Sequence, residues 1–410
     1  MPLVRKWLYP KNYDAALCAT HDVEYGVSAE AGIDAVNSFR KGSLLDGFVK
    51  IFLALIAAVS ALLADLRVFR SRQSLRFIPV FLARKLMRFN PVWNFDMLIG
   101  IEKEFGVVSS FYFLANEGRR DSDYDFSHPL ICEAMQFVKS NGCEVGLHAS
   151  FDSYNDCARL RKEKDMLESV LGTKVEGVRQ HFYRLEIPET WRCQEAAGFG
   201  YDSTFGYAHQ VGFKTGTCLP FKLFDTHEKS VFPIIEVPPV IVDGALLQDR
   251  YLGLSFKEAF QACENLVDIA LRHHGVLTLS WHEHVDRDKD KHWIELFRKI
   301  LERCSKSNLW NTTVENLVKQ FEIHRTIALQ KLSNSKNSFI IGINSASAVQ
   351  DFVLRVHLPS HKQIRKIFFN NAVVSYLEDS RDRTLCVRIN LQKGKNRLQL
   401  YCLKSHTSLS

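Results

Sequence analysis

Five short clusters hold the side chains best suited to chemistry. The first is Thr20-His21-Asp22-Val23-Glu24, with two carboxylates two residues apart. Such a pair can reach one shared site, one member as base and the other as metal ligand, if the backbone leaves the regular pleat there. The second cluster runs from Gly146 to Tyr154 and sets Ser150 and Asp152 just behind His148. The third is Arg179-Gln180-His181, the fourth Tyr201-Asp202-Ser203-Thr204, and the fifth Trp281-His282-Glu283-His284-Val285-Asp286. Histidine changes charge near neutral pH and is a common metal ligand, so these residue types suit proton transfer and metal binding.

Four of the five clusters close a strand-like run. Residues 14–24 read as a buried parallel strand, and similar runs recur at 107–114, 143–147, 175–178, 234–237 and 275–281. Helical patterns lie between them, at 95–105, 129–141, 155–171, 187–197, 255–273 and 291–305. Alternation at this spacing predicts an α/β sheet or barrel, and strand ends are where such folds place chemistry. Beyond about residue 325 the pattern changes to short β-prone runs separated by turns such as Asn370-Asn371 and Lys393-Gly394-Lys395. The expected division is therefore a barrel over 1–325 and an all-β sandwich over 326–410.

The chain has 410 residues, 46% of them hydrophobic and 24% charged, which excludes a disordered or fibrous protein. Its ten cysteines contain no CxxC pair, which excludes a small disulfide scaffold and argues against paired-cysteine zinc modules. Residues 1–17 carry Arg5, Lys6, Lys11 and Asp14, so no cleavable signal is read there. Free thiols in a reducing cytoplasm are the expectation. The net charge of +7 is uneven. Residues 326–410 hold 13 Lys and Arg against 4 Asp and Glu, and residues 41–90 hold 9 against 2, which leaves the remainder acidic. That distribution does not suit a nucleic-acid partner. The uncharged stretch 51–64 is 14 residues long, short of the roughly 20 needed to span a bilayer. With the arginine-rich segment after it, residues 48–89 read as a helical insertion, with peripheral membrane contact as the alternative. No GxGxxG, P-loop or GxSxG pattern is found.

The order of the motifs carries a resemblance. THDVE at 20–24, GLHAS at 146–150, RQH at 179–181 and YDST at 201–204 resemble the NodB-type polysaccharide deacetylases, in the branch found with bacterial surface-polysaccharide genes. The resemblance covers about residues 7–320 and implies a distorted (β/α)7 barrel, here followed by the small C-terminal all-β sandwich. It implies a metal-dependent N-deacetylase with zinc as the leading cofactor and an N-acetylated saccharide or glycan precursor as substrate. Asp22 matches the general base, Glu24 the acidic metal ligand and His148 the leading histidine of the second motif. The usual second histidine of that motif is Asp152 here, so the third ligand is either Asp152 or His181. Arg179 resembles the arginine that orients the base, and His282 the acid that protonates the departing amine. Tyr25, or a backbone N–H near 149–151, is expected at the oxyanion, and Tyr25, Ser150, Asp202 and Trp281 are expected at the substrate. Two other readings stand beside this one. The replaced histidine suits a non-catalytic glycan-binding scaffold, and residues 48–89 suit a peripheral membrane assembly factor.

Overall fold

The computed structural model describes residues 3–24, 94–118, 120–122, 124–283, 291–335, 338–358, 362–379 and 384–404. The insertion at 41–90, Tyr25, His284 and Asp286 lie outside the described residues. Two compact units emerge: Leu17–Ser307 with Asn311–Glu315, and Met1–Ala16 with Asn308–Trp310 and Asn316–Ser410. The units thus divide the chain at points other than 325, because the opening residues fold with the C-terminal ones.

In chain order, β1 (Leu3–Trp7) belongs to the C-terminal unit and β2 (Ala15–Val23) begins the larger sheet. There follow α1 (Phe95–Glu104), β3 (Ser109–Leu114), α2 (Pro129–Ser140), β4 (Glu144–Ala149), α3 (Cys157–Leu171), β5 (Gly177–Gln180), α4 (Glu189–Ala197) and β6 (Tyr201–Asp202). Then come β7 (Phe221–Asp225), β8 (Ser230–Glu236), β9 (Ile241–Val242), α5 (Asp243–Leu247), α6 (Phe256–Arg272), β10 (Val276–Ser280), α7 (Lys291–Ser305), β11 (Leu309–Asn311) and α8 (Val314–Thr326). The sheet order is β7-β8-β6-β5-β4-β3-β2-β10-β9, with β11 as its tenth strand. Neighbours from β2 to β6, then β6 with β8 and β9 with β10, run parallel, and β7 runs antiparallel to β8. All nine residues of β2 are buried, as a strand covered on both faces requires.

The sheet curls. β2 and β5 are three strand spacings apart, roughly 14 Å in a flat sheet, yet Arg179 on β5 reaches Asp22 on β2 at 2.6 Å. Tyr112 on β3 and Tyr201 on β6 likewise meet hydroxyl to hydroxyl at 3.0 Å. Gly177 makes room for this contact: a Cβ there would lie 2.1 Å from the Tyr201 ring. The result is a parallel-rich half-barrel consistent with the distorted (β/α) barrel expected from the sequence. Helix α6 starts at a capping box of Ser255 and Glu258, which satisfies two otherwise orphaned donors. Among the described residues no helix is long and apolar enough to cross a membrane.

The expectation of ten free thiols is corrected at one pair. Cys157 opens α3 and Cys193 lies on α4, their Cα atoms 4.4 Å apart and the sulfurs bonded; this Cα separation sits at the short end of the range a disulfide spans. Cys18, Cys132, Cys143, Cys218, Cys263 and Cys304 remain as free thiols.

The C-terminal unit is a pair of antiparallel sheets. Its remaining strands are β12 (Ala328–Asn334), β13 (Ser338–Ser345), β14 (Val349–His357), β15 (Lys362–Phe369), β16 (Ala372–Val373), β17 (Tyr376–Asp379), β18 (Thr384–Leu391) and β19 (Gly394–Lys404). One sheet is ordered β1-β14-β18-β17 and the other β12-β13-β19-β15-β16. Alternating apolar residues such as Phe339, Ile341 and Ile343, with Leu385, Val387 and Ile389, fill the space between them. Asn370 and Asn371, with φ of 45° and 72°, make the tight turn from β15 to β16.

Candidate active site

Asp22 and Arg179 form the floor of the site. Both are buried, and the guanidinium donates to Asp22 Oδ1 at 2.6 Å, Thr20 Oγ1 at 2.8 Å and Ser280 Oγ at 3.3 Å through Nη1. Its Nε and Nη2 donate to Ser203 O at 2.9 Å and Ser203 Oγ at 2.8 Å, and the Tyr112 ring lies 4.4 Å below its carbon. Burial by itself would raise the Asp22 carboxyl. Arg179, with His148 and His282 nearby, outweighs burial and holds Asp22 below the usual carboxylate range, so it is ionised.

Glu24 follows β2 on the same side as Asp22, as the period of two dictates. Three imidazoles present Nε2 to its Oε1: His181 at 3.2 Å, His282 at 3.6 Å and His148 at 3.8 Å. Burial opposes the Glu24 charge, but the histidines win and hold the carboxyl well below its ordinary value. Nδ1 of His148 faces the Arg179 carbonyl at 3.0 Å. Nδ1 of His282 faces Asp243 Oδ1 at 2.7 Å, and Asp243 Oδ2 accepts the His282 backbone N–H at 2.8 Å. Burial would lower His282, yet Asp243 and Glu24 raise it well above the usual imidazole value.

The ligating atoms of Glu24, His148 and His181 all lie within 4.8 Å of one another. Two imidazole nitrogens and one carboxylate oxygen suit zinc and other first-row divalent cations, so the residues present fit a metal. The backbone after β5 explains how His181 joins them. Phe182 and Tyr183 adopt φ of 57° and 53°, a left-handed pair that bends the chain out of the strand. Side chains that are not glycine hold such angles only at a cost, and at functional sites the cost is common. The Tyr183 hydroxyl then donates to Ser280 Oγ at 2.8 Å, and burial pushes its phenol up to about 12.

Of the residues expected at the site, Asp22, Glu24, His148, Arg179, His181 and His282 come together, and four others do not. Asp152 points away, two-thirds exposed and paired with Arg184 at 3.0 Å, because the chain enters a 3-10 turn after residue 152. Trp281 is wholly buried against Phe297 and cannot stack on a sugar. Ser150 is buried with its hydroxyl on Glu163. Asp202 is buried beside Thr204 and Glu236, where burial raises both carboxyls. The backbone route to an oxyanion hole also changes. The Ser150 N–H is spent on Glu163 at 3.1 Å and the Phe151 N–H on Asp121 at 2.7 Å.

Sequence reasoning missed Asp243 and Asp121. Asp243 directly follows β9, a two-residue strand too short to show periodicity, so only the Val-Asp-Gly at its end signals it. Asp121 lies in a polar connection beyond β3 with no pattern around it.

No family model and no curated protein matches the chain. Among solved structures, the chain is similar to one from Mycobacterium smegmatis assigned as a polysaccharide deacetylase, with a TM-score of 0.47 and 16% identity over 81% of this chain and 98% of that one. A second, from Pseudomonas aeruginosa PAO1 and assigned likewise, gives a TM-score of 0.47 and 14% identity over 78% and 94%. A third, PuuE allantoinase, gives 0.48 and 13% over 78% and 93%. The larger unit is a curled parallel α/β sheet with its ionisable cluster at the strand ends.

Proposed function

We propose that the protein is a metal-dependent hydrolase that removes an N-acetyl group from a sugar of a bacterial surface glycan or its precursor. One observation carries this reading: Glu24 Oε1 is faced by three imidazole Nε2 atoms beside an Asp22–Arg179 clamp. A divalent cation, zinc by its donor set, would be held by Glu24, His148 and His181, where it supplies carbonyl polarisation and brings a water towards a pKa of about 7. Asp22 is ionised and takes the proton of the attacking water, while Arg179 keeps its carboxylate in one orientation. His282 is held protonated by Asp243 and is the most exposed of the three imidazoles, at 19%. It gives its Nε2 proton to the leaving nitrogen as the C–N bond breaks, and acetate and the free amine result.

His181 speaks against the scaffold reading. The exposed Asp152 alone would leave two ligands, and His181 makes a third. The Cys157–Cys193 bond removes the free-thiol argument for a cytoplasmic compartment, and residues 48–89 keep peripheral membrane contact as the alternative to a helical insertion on their sequence alone.

The test is acetate release from N-acetylated saccharides and sugar nucleotides, with bound metal measured on the same preparation. Asp22→Asn and His148→Ala are expected to abolish release. Full release by both variants, or a protein that takes up no divalent metal, would overturn the proposal.

A further inference from the structure

The three imidazoles of the site are not held alike. Nδ1 of His148 has the Arg179 carbonyl at 3.0 Å and Nδ1 of His282 has Asp243 at 2.7 Å. Nδ1 of His181 is buried and has no hydrogen-bond partner within bonding distance among the described residues, but Asp121 Oδ1 stands 3.7 Å away. Asp121 is itself buried, its side chain 3% exposed, and that same oxygen accepts the Phe151 N–H at 2.7 Å. One carboxylate therefore ties the loop that follows His148 and stands beside the ring that follows β5. A buried carboxylate is costly unless donors surround it, and a buried imidazole N–H is costly without an acceptor. Each supplies what the other lacks.

We propose that Asp121 is the positioning residue of the metal site: it accepts the Nδ1–H of His181, fixes that tautomer, and leaves Nε2 bare towards Glu24. The ring can then ligate a cation without first losing a proton or turning over. The inference rests on reading Glu24, His148 and His181 as a metal site, and does not need the bound substrate to be an acetylated sugar. It also gives a reason why His181 serves as the third ligand. A ring without an acceptor at Nδ1 is free to carry its proton on Nε2, where it would block the metal.

The experiment measures zinc affinity by chelator competition, and the His181 tautomer by 15N chemical shifts in metal-free protein at alkaline pH, where the ring is neutral. Asp121→Asn keeps a neutral amide oxygen for the Phe151 N–H but removes the carboxylate charge that favours the Nδ1–H of His181, so the fold should be retained, as a thermal unfolding midpoint would verify. Its zinc affinity is expected to fall about 10- to 100-fold, with His181 moving from the Nδ1–H tautomer to a mixture and Asp121→Glu recovering part of both. Unchanged affinity together with an unchanged tautomer would overturn the proposal. Should Asp121→Asn fail to fold, an Nε2–H tautomer in the wild-type protein overturns it equally. Absence of zinc binding by the wild type would defeat the metal reading itself, while the tautomer would still decide the role of Asp121.

Discussion

The two faces of β2 carry ionisable groups side by side and use them in opposite ways. On the outer face, His21 is sealed: Nδ1 meets the Trp281 carbonyl at 2.9 Å and Nε2 meets Glu102 at 2.8 Å, with Ser109 completing the carboxylate at 2.7 Å. Its ring stacks on Phe111 with centroids 4.5 Å apart. On the inner face, Asp22 is clamped, but Glu24 meets three Nε2 atoms at 3.2 to 3.8 Å that converge on one oxygen. Burial of charge does not separate the faces, since His21 is as buried as any residue of the site. What separates them is closure: the outer network uses each member's bonding capacity within itself, whereas the inner one aims several lone pairs at a common point.

Four measurements would break or sharpen that contrast. The largest effect is expected for Arg179→Ala, which strands the Asp22 charge in the interior. A loss of about 3–5 kcal/mol in denaturant unfolding is expected, and a loss below 1 kcal/mol would mean the clamp is not closed as described. Next, Glu102→Ala should cost about 1–3 kcal/mol by leaving His21 and Ser109 unsatisfied. Zinc affinity should not change, and a marked fall would show that the two faces are one network.

The third measurement concerns Glu163, which accepts from the Ser150 N–H and hydroxyl. Burial raises its carboxyl from 4.5 to about 7. A carboxyl raised in the folded state contributes stability at low pH that is lost as pH climbs through about 7. Urea unfolding should therefore show the wild type losing stability relative to Glu163→Gln between pH 4.5 and about 7; parallel curves would contradict this. The smallest effect is expected for Asp152→Ala, which removes an exposed pair with Arg184. It should cost at most about 1 kcal/mol and leave zinc affinity intact. A hundredfold loss of affinity would return Asp152 to the ligand set.

Much of the molecule is legible in its residues because the signals are local. Alternation in 338–404 predicts most strands of the sandwich, since each must present every second side chain to the core. β1 is not legible: Leu3–Trp7 is short, mixed in polarity, and paired with a strand some 350 residues away. Trp281 shows the limit on the other side. An aromatic beside His282 reads as a sugar platform, but strand alternation turns it to the opposite face, where it packs on Phe297.

The sequence by itself determined that Asp22 and Glu24 can reach one shared site, that histidines and an arginine close successive strands, and that the strands are parallel and buried. These follow from a period of two and from apolar runs, which neighbours in the chain impose. Only the tertiary structure decided that His181 and not Asp152 completes the candidate ligand set, and that Asp243 and Asp121 stand behind two of the imidazoles. Those choices depend on how far the sheet curls and on where the backbone leaves each strand. The groups concerned come from strand β4, from the ends of β2, β5 and β10, from the connection beyond β3 and from the start of α5, and only the fold brings them together.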